Sequence, residues 1–492
     1  MQSSRPEPDP PAQRSTRPVG ALDRYFEVSA RGSTYSREIR GGLATFFAMS
    51  YIVVLNPLIV GTAGDANGAT LGVAAVASVT ALVAGVMTIL MGVVGKYPFA
   101  IATGLGLNAF LASTVAPEMT WADAMGLIVI EGVIISILVL TGLRTAVFNA
   151  VPGQLKTAIG VGIGLYIALI GFVDAGFVSR IPDAAGTTTP LQLGVDGSLF
   201  GWPVLVFAIG VLLTAALVAR RVKGAILLGI LSTTVLAIIV EALTGTGEGG
   251  ESNPGGWSLV VPTLPDQLVE LPNLGLLGQF NLLGSFDRIG LVAVLLLVFT
   301  LMLVDFFDTM GTVVGLGAEG DLLDDKGNLP GIGRVFFIDS LAAVAGGAGS
   351  TSSNTTFIES AAGIGEGART GLANVVTGVL FLLAMFFTPL ISIVPFEAAS
   401  PALVVIGFLM LTQVRSIDFS DYGVAIPAFL TMVVMPFTYS ISAGIGVGFI
   451  AYVVLRVVQA RPREIHPLMW VVAVLFVVYF AIEPIQKAFG VS

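Results

Sequence analysis

Apolar stretches suited to membrane helices follow one another along most of the chain. A helix that crosses a bilayer needs about 20 mostly apolar residues, and twelve stretches approach or exceed that length. They span residues 39–62, 70–95, 122–143, 155–173, 203–219, 224–243, 289–316, 333–348, 370–393, 400–412, 424–438 and 440–458. Two further apolar stretches, 99–116 and 345–366, are interrupted by Gly, Ser and Thr. Together they predict fourteen membrane segments.

The two interrupted stretches occupy matching places, because each is the third of seven segments. Each is followed by an uninterrupted segment and then by a Val-Pro pair, at residues 151–152 or 394–395. An odd number of segments in each half places the halves in opposite orientations. Inverted repeats with broken helices at matching places are typical of secondary transporters. The alternative is that the glycines only allow close helix packing.

Both interrupted stretches begin with small residues that disfavour a helix and continue with a helical pattern. They therefore predict two half-helices that start inside the membrane. The first N–H groups of such a helix have no intrahelical partners, and a polar ligand can supply them. We expect a binding site at these half-helices.

Thr356 and Glu359 in the second stretch form the S/T-x-x-E pattern of a capping box. In that interpretation Glu359 only reaches back to the end of its own helix. A carboxylate at membrane depth is costly, however, and is usually functional. Glu359 is therefore a candidate substrate ligand, with Thr356 and Phe357 beside it, and both interpretations stay open.

Asp305 and Asp308 lie three residues apart in the segment 289–316, which predicts that they share one helix face. Two carboxyl groups this close in a medium of low dielectric constant do not both ionise easily. Such a pair can bind and release a proton during transport, and Glu131 within segment 122–143 is a second candidate for a proton relay. The alternative is a buried pair satisfied by neighbouring hydroxyl groups.

Asn108 is the polar residue of the first interrupted stretch. Its amide offers two donors and an acceptor, which suits a heterocycle with mixed donors and acceptors. Phe110 and Phe357 offer aromatic faces that can stack on a flat ligand. The alternatives are a helix cap for Asn108 and a place in the core or against lipid for each phenylalanine.

The composition agrees with this pattern and excludes other classes of protein. Of 492 residues, 55% are hydrophobic and only 11% are charged, against about 25% charged in soluble domains. We therefore expect an all-α polytopic protein with the lipid bilayer as a partner. A net charge of -9 with no basic face excludes a nucleic-acid binder. The chain has no cysteine and one histidine, so neither a metal site nor a cofactor is predicted.

The positive charges predict an orientation in the plasma (inner) membrane with a cytoplasmic N-terminus. With that orientation, the cytoplasmic connections carry Lys96, Arg144, Lys156, Arg220, Arg221, Lys223, Lys326, Arg334, Arg369 and Arg415. The long connection 244–287 has no Lys or Arg and falls outside. The first 20 residues are expected to be disordered. Segment 467–486 is long enough to span but can also lie in the interface.

Four stretches resemble the AzgA-like branch of the nucleobase:cation symporters. They are TFFAMSYIVVLNPLIV, VDFFDTMGT, GSTSSNTTFIESAAGI and RTGLANVVTGVLFLLAMFF, and the similarity covers about residues 22–486. Members of this branch are permeases for hypoxanthine, guanine and adenine. The resemblance implies a secondary active importer of purine nucleobases, not an enzyme, with the proton as the expected coupling ion.

The resemblance also implies a fold of fourteen segments in two inverted seven-segment repeats. Segments 3 and 10 contain a short strand and a half-helix, with the nucleobase between them. A core domain moves against a gate domain, by rocking or as an elevator. The implied divisions are an N-terminal arm (1–38), the core domain (39–148 and 288–395), the gate domain (149–245 and 396–458), an extracellular loop (246–287) and a C-terminal segment (459–492).

Carried over motif by motif, the resemblance implies particular site residues. The carboxylate of segment eight falls on Asp308, the glutamate of segment ten on Glu359, and the asparagine of segment three on Asn108. Asp305 matches a further acid of this branch. Uracil and xanthine branches differ at the residue before the glutamate, which is Ile358 here.

Three alternatives remain. One is a uracil or xanthine symporter, and another is an anion transporter of the same fold. Anion transporters place a basic site at these half-helices, whereas no Lys or Arg lies in 99–116 or between 335 and 368. The third, an intramembrane aspartyl protease, needs two aspartates on separate helices, and Asp321 lies in a polar loop instead. A homodimer through the gate domain is a further expectation from the family.

Overall fold

The computed structural model describes residues 20–141, 151–181, 191–195, 197–250, 252–265, 267–324 and 329–481. Its helices are α1 (Ala21–Phe26), α2 (Tyr35–Met49), α3 (Ile52–Val60), α4 (Val73–Leu90), α5 (Leu105–Phe110), α6 (Trp121–Leu140), α7 (Gly153–Asp174), α8 (Trp202–Ala219), α9 (Ala225–Thr244), α10 (Gly284–Glu319), α11 (Ile332–Ala348), α12 (Ala361–Gly365), α13 (Gly371–Ala384), α14 (Thr388–Ser392), α15 (Phe396–Leu411), α16 (Tyr422–Thr438), α17 (Ile441–Val458) and α18 (Pro467–Phe480). Its strands are β1 (Ile101–Thr103), β2 (Val178–Arg180), β3 (Leu191–Leu193) and β4 (Asn354–Thr356). Predictions about the arm before residue 20, the connection with Arg144 and the chain beyond residue 481 lie outside the described residues.

Long apolar helices make up most of the structure. Within the described ranges, nine helical stretches are long and apolar enough to cross a membrane, and α13, α16 and α18 are shorter apolar helices. The prediction of a helical polytopic membrane protein is confirmed. Segment 224–243, for example, is helix α9 with its ends moved by one residue. The number of fourteen segments stays a prediction.

Local signals set where several helices begin and bend. The hydroxyl oxygen of Thr120 accepts a hydrogen bond from the backbone N–H of Asp123 (3.3 Å) and so caps α6. Thr34 caps α2 in the same way through the N–H of Arg37 (3.3 Å). The long helix α10 bends at Gly290, where φ is +77°, a conformation that glycine adopts at little cost.

The two interrupted stretches meet at the centre of the fold. Each contains a three-residue strand, and β1 pairs with β4 in an antiparallel register that places Ala102 opposite Thr355. Short helices follow both strands, α5 after β1, and a 3₁₀ turn (Ile358–Ser360) with α12 after β4. Pairing supplies hydrogen bonds to backbone groups that the bilayer interior would leave unsatisfied. The structure thus contains the strand and short helix expected of each broken segment.

Many helix contacts occur in pairs that are related by exchanging the two halves of the chain. The mirrored pairs are α4–α13 with α6–α11, α2–α13 with α6–α10, α8–α9 with α16–α17, and α8–α15 with α7–α16, while α7 packs against α15. Two repeats related by a two-fold axis make pairs of this kind. The contacts therefore agree with the predicted inverted repeats.

Glycines allow the close approach of α7 and α15, which are matching helices of the two halves. A Cβ atom on Gly164 would lie 2.9 Å from the carbonyl oxygen of Gly407, so a larger residue at 164 forces the helices apart. The alternative reading of the glycines as packing residues therefore holds for this pair. It does not account for the strands β1 and β4, where the two interrupted stretches leave the helical conformation.

Candidate functional site

A cavity of about 360 Å³ lies between the two interrupted stretches and helices α7, α10 and α15. This volume falls in the range of about 300–1,000 Å³ usual for small-molecule sites. Polar side chains in its wall are Tyr51, Lys156, Asp308, Thr312, Thr356, Glu359 and Gln413. The rest of the wall is mainly apolar, with Phe357, Ile163 and Met410 among its side chains. The cavity suits a small, flat ligand with several polar groups.

Glu359 reaches this cavity because β4 ends just before it. The N–H of Phe357 donates to the carbonyl of Ala100 (2.9 Å), and the 3₁₀ turn then directs Glu359 into the cavity wall. The hydroxyl of Tyr51 donates a hydrogen bond to Glu359 Oε1. Tyr51 lies between α2 and α3, and our sequence analysis did not single it out. This contact fixes the orientation of the carboxylate at the site.

Asp308 contributes a second carboxylate to the cavity, from helix α10. The hydroxyl of Thr355 donates to Asp308 Oδ2 (3.2 Å). A residue of strand β4 thus fixes the orientation of a side chain on helix α10. Thr312, one turn further along α10, also lines the cavity. Asp308 and Glu359 therefore present acceptors from two different segments to one space.

Asp305 does not share the environment of Asp308, although the two residues lie three positions apart on one helix. Asp305 is fully buried and accepts a hydrogen bond from the hydroxyl of Ser353 (3.0 Å). Glu131 is also fully buried, and the carboxyl groups of Asp305 and Asp339 lie near it. The structure thus separates the predicted proton-coupling residues: Asp308 lines the cavity, whereas Asp305 and Glu131 are buried outside the cavity wall as far as the chain is described.

Asp339 ties the second interrupted stretch to two helices. Its Oδ1 atom accepts from the N–H (3.0 Å) and the hydroxyl (2.9 Å) of Thr356. Its Oδ2 atom accepts from the hydroxyl of Thr309 (2.8 Å). Thr356 therefore lines the cavity while its hydroxyl is directed to Asp339.

The capping-box interpretation of Thr356 and Glu359 is wrong. Phe357, and not Thr356, precedes the 3₁₀ turn, and no side-chain cap forms there among the described residues. The hydroxyl of Thr356 is engaged by Asp339, and the carboxylate of Glu359 is engaged by Tyr51. The local pattern fitted a cap, but partners distant in the sequence determine where both side chains point.

Asn108 and Phe110 are fully buried and, in the part of the chain that the structure describes, lie outside the cavity wall. The hydroxyl of Thr103 lies against Asn108 Oδ1 and also contacts the carbonyl of Thr351 (2.8 Å). Gly104 occupies the N-cap position of α5, and Asn108 lies within that helix. The alternative of Asn108 as a helix cap is therefore also wrong. Phe110 packs in the main hydrophobic core. Of the aromatic candidates, Phe357 faces the cavity.

We expect Asn108→Ala to lower stability and to leave substrate affinity unchanged. Losing the contact of the buried amide with Thr103 costs about 1 kcal/mol. The measurement is the thermal unfolding midpoint of the purified protein, beside its affinity for radiolabelled hypoxanthine, one of the ligands that the family resemblance implies. A fall in affinity at unchanged stability would instead place Asn108 in the site, as the family resemblance implies.

Lys156 and Gln413 enter the cavity wall from α7 and from the turn after α15. Sequence reasoning missed both, and it counted Lys156 only as a cytoplasmic charge. The sequence argument against an anion transporter considered only the two interrupted stretches, which lack Lys and Arg. Lys156 corrects that argument, because a basic residue from another helix lines the cavity. Two carboxylates and one ammonium group therefore face the same space. Within the described residues, no group of three His, Cys, Asp or Glu side chains is arranged to hold a metal ion.

Comparison with known proteins agrees with this architecture. Residues 36–486 match the model of a permease family, Xan_ur_permease. The chain belongs to this permease family. The guanine/hypoxanthine permease PbuG of Bacillus subtilis is 36% identical to it over 93% of this chain and 98% of the relative. The adenine permease AdeP of Escherichia coli is 34% identical over 93% and 95%. The expectation of a transporter and not an enzyme is confirmed.

Solved structures share the fold of this permease at low sequence identity. The transmembrane domain of the cyanobacterial bicarbonate transporter BicA has a TM-score of 0.55 at 15% identity, over 87% of this chain and 98% of that chain. The inward-facing murine anion transporter Slc26a9 has a TM-score of 0.57 at 10% identity, over 86% and 69%. At such identities the similarity concerns the fold alone, and the substrate has to be argued from the site of the permease.

Proposed function

We propose that this permease is a secondary active importer of the purine nucleobases hypoxanthine, guanine and adenine. The observation that carries the proposal is the pair of carboxylates, Asp308 and Glu359, that faces one cavity beside the paired strands. The names of the relatives, a guanine/hypoxanthine permease and an adenine permease, support it.

The chemistry of the cavity wall fits a purine. Ring and exocyclic N–H groups of the base would donate to Glu359 and Asp308, and hydrogen bonds to a charged acceptor are the stronger ones. Phe357 offers an apolar surface for the flat ring. Thr312 and Gln413 can each donate or accept, which suits the remaining ring nitrogens and a carbonyl group.

Transport by this proposal couples the purine to a proton. Carboxyl groups in a largely apolar cavity can bind a proton on one side of the membrane and release it on the other. Asp308 is the first candidate because it faces the substrate space, and Asp305 and Glu131 would act behind it. The cavity lies between the proposed core (39–148, 288–395) and gate (149–245, 396–458), so an elevator or rocking motion of the core would move the site across the membrane.

We expect hypoxanthine uptake to rise as the external pH falls and to collapse with a protonophore. Lower external pH increases the driving force for a proton that enters with the substrate. The measurement is uptake of radiolabelled hypoxanthine in cells that lack their own purine permeases, with competition by a panel of purines and pyrimidines. Uptake that requires sodium and ignores pH would contradict proton coupling, and competition by uracil alone would contradict a purine substrate.

A second candidate function is an anion transporter of the same fold. The position of Lys156 in the cavity wall favours it, because a basic group attracts an anion. Two carboxylates in the same cavity oppose it, since they repel an anionic ligand. Bicarbonate in the competition panel distinguishes the two candidates. We further propose that the permease lies in the plasma membrane with a cytoplasmic N-terminus and pairs through its gate domain.

A further inference from the structure

The main cavity, which lies between the two interrupted stretches, is open at one end and closed at the other. Ile358 and Gln413 in its wall are exposed, and a Cβ atom on Gly160 of α7 would lie 3.7 Å from Gln413 Oε1. Further along α7, Ile163 is buried and packs against Gly106, where a Cβ atom would lie 2.7 Å from Ile163 Cγ2. The cavity therefore opens beside the first turns of α7 and is closed from Ile163 onward.

A contact between two hydroxyl groups lies on the closed side of the cavity. Tyr166, one helical turn further along α7, is fully buried, and its hydroxyl contacts that of Ser113. Ser113 belongs to the π-helical turn Leu111–Val115 after α5 and directs its own proton to the carbonyl of Ala109 (2.7 Å), so Tyr166 is the donor. The ring of Tyr439, between α16 and α17, lies 5.1 Å from the ring of Tyr166, measured between centroids.

The proposed orientation of the permease places this contact towards the outside of the membrane. The distribution of positive charge assigns Lys156, near the start of α7, to the cytoplasmic side. Tyr166 lies ten residues after Lys156, which corresponds to about 15 Å of helix. In this orientation the open end of the cavity faces the cytoplasm, and the contact between Tyr166 and Ser113 closes the opposite end.

We propose that the hydrogen bond between Tyr166 and Ser113, backed by the ring of Tyr439, is the extracellular closure of the substrate cavity. This inference rests on the proposed secondary transport and orientation. Ser113 belongs to the proposed core, whereas Tyr166 and Tyr439 belong to the proposed gate. A movement of the core that turns the cavity outward separates the two hydroxyl groups. The contact therefore stabilises the inward-open state and has to break before a purine enters from outside.

A hydrogen bond between neutral groups suits a closure that opens in every transport cycle. Its two hydroxyl groups separate without leaving a charge in apolar surroundings, whereas a buried ion pair would leave two. Its net contribution is modest and corresponds to about a fivefold change in the ratio of two states. Because the contact forms only in the inward-open state, its removal should shift the ratio towards the outward-open state by that factor.

The absence of cysteine from the sequence allows the two states to be distinguished by labelling. Ile358→Cys places the only thiol of the protein in the cavity wall, on the side of the proposed core. A membrane-impermeant maleimide reaches this thiol from outside intact cells in the outward-open state, and from the cytoplasmic face of inside-out vesicles in the inward-open state. The labelled fraction of the purified permease is measured over time. In this starting variant, labelling should be faster from the cytoplasmic face.

Tyr166→Phe, added to the starting variant, removes the hydroxyl and keeps the buried ring. It should increase the rate of external labelling about fivefold. Ser113→Ala removes the other partner of the same contact and should have the same effect, which also provides the test if Tyr166→Phe does not assemble. The double variant should show no further increase, since each substitution already removes the one contact that the two residues share.

Tyr97→Phe is the matched control. The hydroxyl of Tyr97 donates to the carbonyl of Pro330 (2.7 Å), and both residues belong to the proposed core. Losing this hydrogen bond lowers stability but favours neither state of the transport cycle. The rate of external labelling should therefore equal that of the starting variant.

Four outcomes would overturn the inference. Unchanged external labelling in Tyr166→Phe and Ser113→Ala would show that the contact does not hold the cavity closed, and an equal increase in Tyr97→Phe would indicate a general loosening of the fold. Additive effects in the double variant would show that the two hydroxyl groups act separately. Faster external than cytoplasmic labelling of the starting variant would reverse the assigned sides.

The same samples test the proposed function separately. Hypoxanthine should slow labelling at position 358, because the purine would occupy the cavity that contains the thiol. Failure of hypoxanthine to do so would contradict the purine site. It would leave intact the labelling rates without substrate, which test the closure.

Discussion

Glu359→Gln is expected to lower the affinity for hypoxanthine about tenfold or more. The substitution keeps the size of the side chain in the cavity and removes its charge. A hydrogen bond to a charged group contributes about 1.5–3 kcal/mol, and about 1.4 kcal/mol corresponds to a factor of ten in affinity. The measurement is equilibrium binding of radiolabelled hypoxanthine to the purified protein.

Two variants separate the role of Glu359 from general damage to the fold. Tyr51→Phe removes the hydroxyl that donates to Glu359 but leaves the carboxylate in place, so its loss of affinity should be smaller than that of Glu359→Gln. Glu366→Gln changes a glutamate at the other end of α12 from Glu359. Glu366 pairs with Lys223 outside the main cavity, so the affinity of this variant should equal that of the wild type. Wild-type affinity in Glu359→Gln would remove this residue from the site.

Asp339→Ala is expected to destabilise the protein by about 3 kcal/mol or more, because several buried donors lose their acceptor at once. The N–H and hydroxyl of Thr356 and the hydroxyl of Thr309 all donate to Asp339. These bonds hold the end of β4, which leads into the 3₁₀ turn that carries Glu359. The measurement is the thermal unfolding midpoint in detergent, together with the yield of monodisperse protein.

Thr309→Val serves as the graded control for Asp339. It removes one of these donors and should lower the midpoint by a smaller step, corresponding to about 1 kcal/mol. Because Asp339 acts on the position of β4 and does not line the main cavity among the described residues, any folded Asp339 variant should also bind hypoxanthine more weakly. An unchanged midpoint in Asp339→Ala would contradict the structural role given to this carboxylate.

The membrane helices were predictable because their cause is local. A bilayer requires a continuous apolar stretch of about 20 residues, and no distant residue is needed to recognise one. Thus 203–219 was predicted for α8, which is Trp202–Ala219. The interruptions in 99–116 and 345–366 were visible for the same reason, since small polar residues at membrane depth break the pattern. Asp308 and Glu359 stood out because carboxylates are rare in apolar segments.

Partners within the site were not predictable, since they come from segments far apart in the chain. Tyr51 contacts Glu359 across 308 residues, and Lys156 joins the cavity from a helix that carries no other sign of a site. The capping box failed because Asp339 and Tyr51 offer Thr356 and Glu359 partners that a local pattern cannot contain.

Helical spacing also left open which acid faces the substrate space. Positions three apart on a helix differ by about 60° in direction, which was enough to place Asp308 in the cavity and Asp305 against Ser353. The sequence by itself therefore determined the membrane class, the broken segments and the presence of functional acids, because each depends on composition over a short range. Only the tertiary structure decided which of those acids meet in one cavity and which residues position them, because these depend on how distant helices pack.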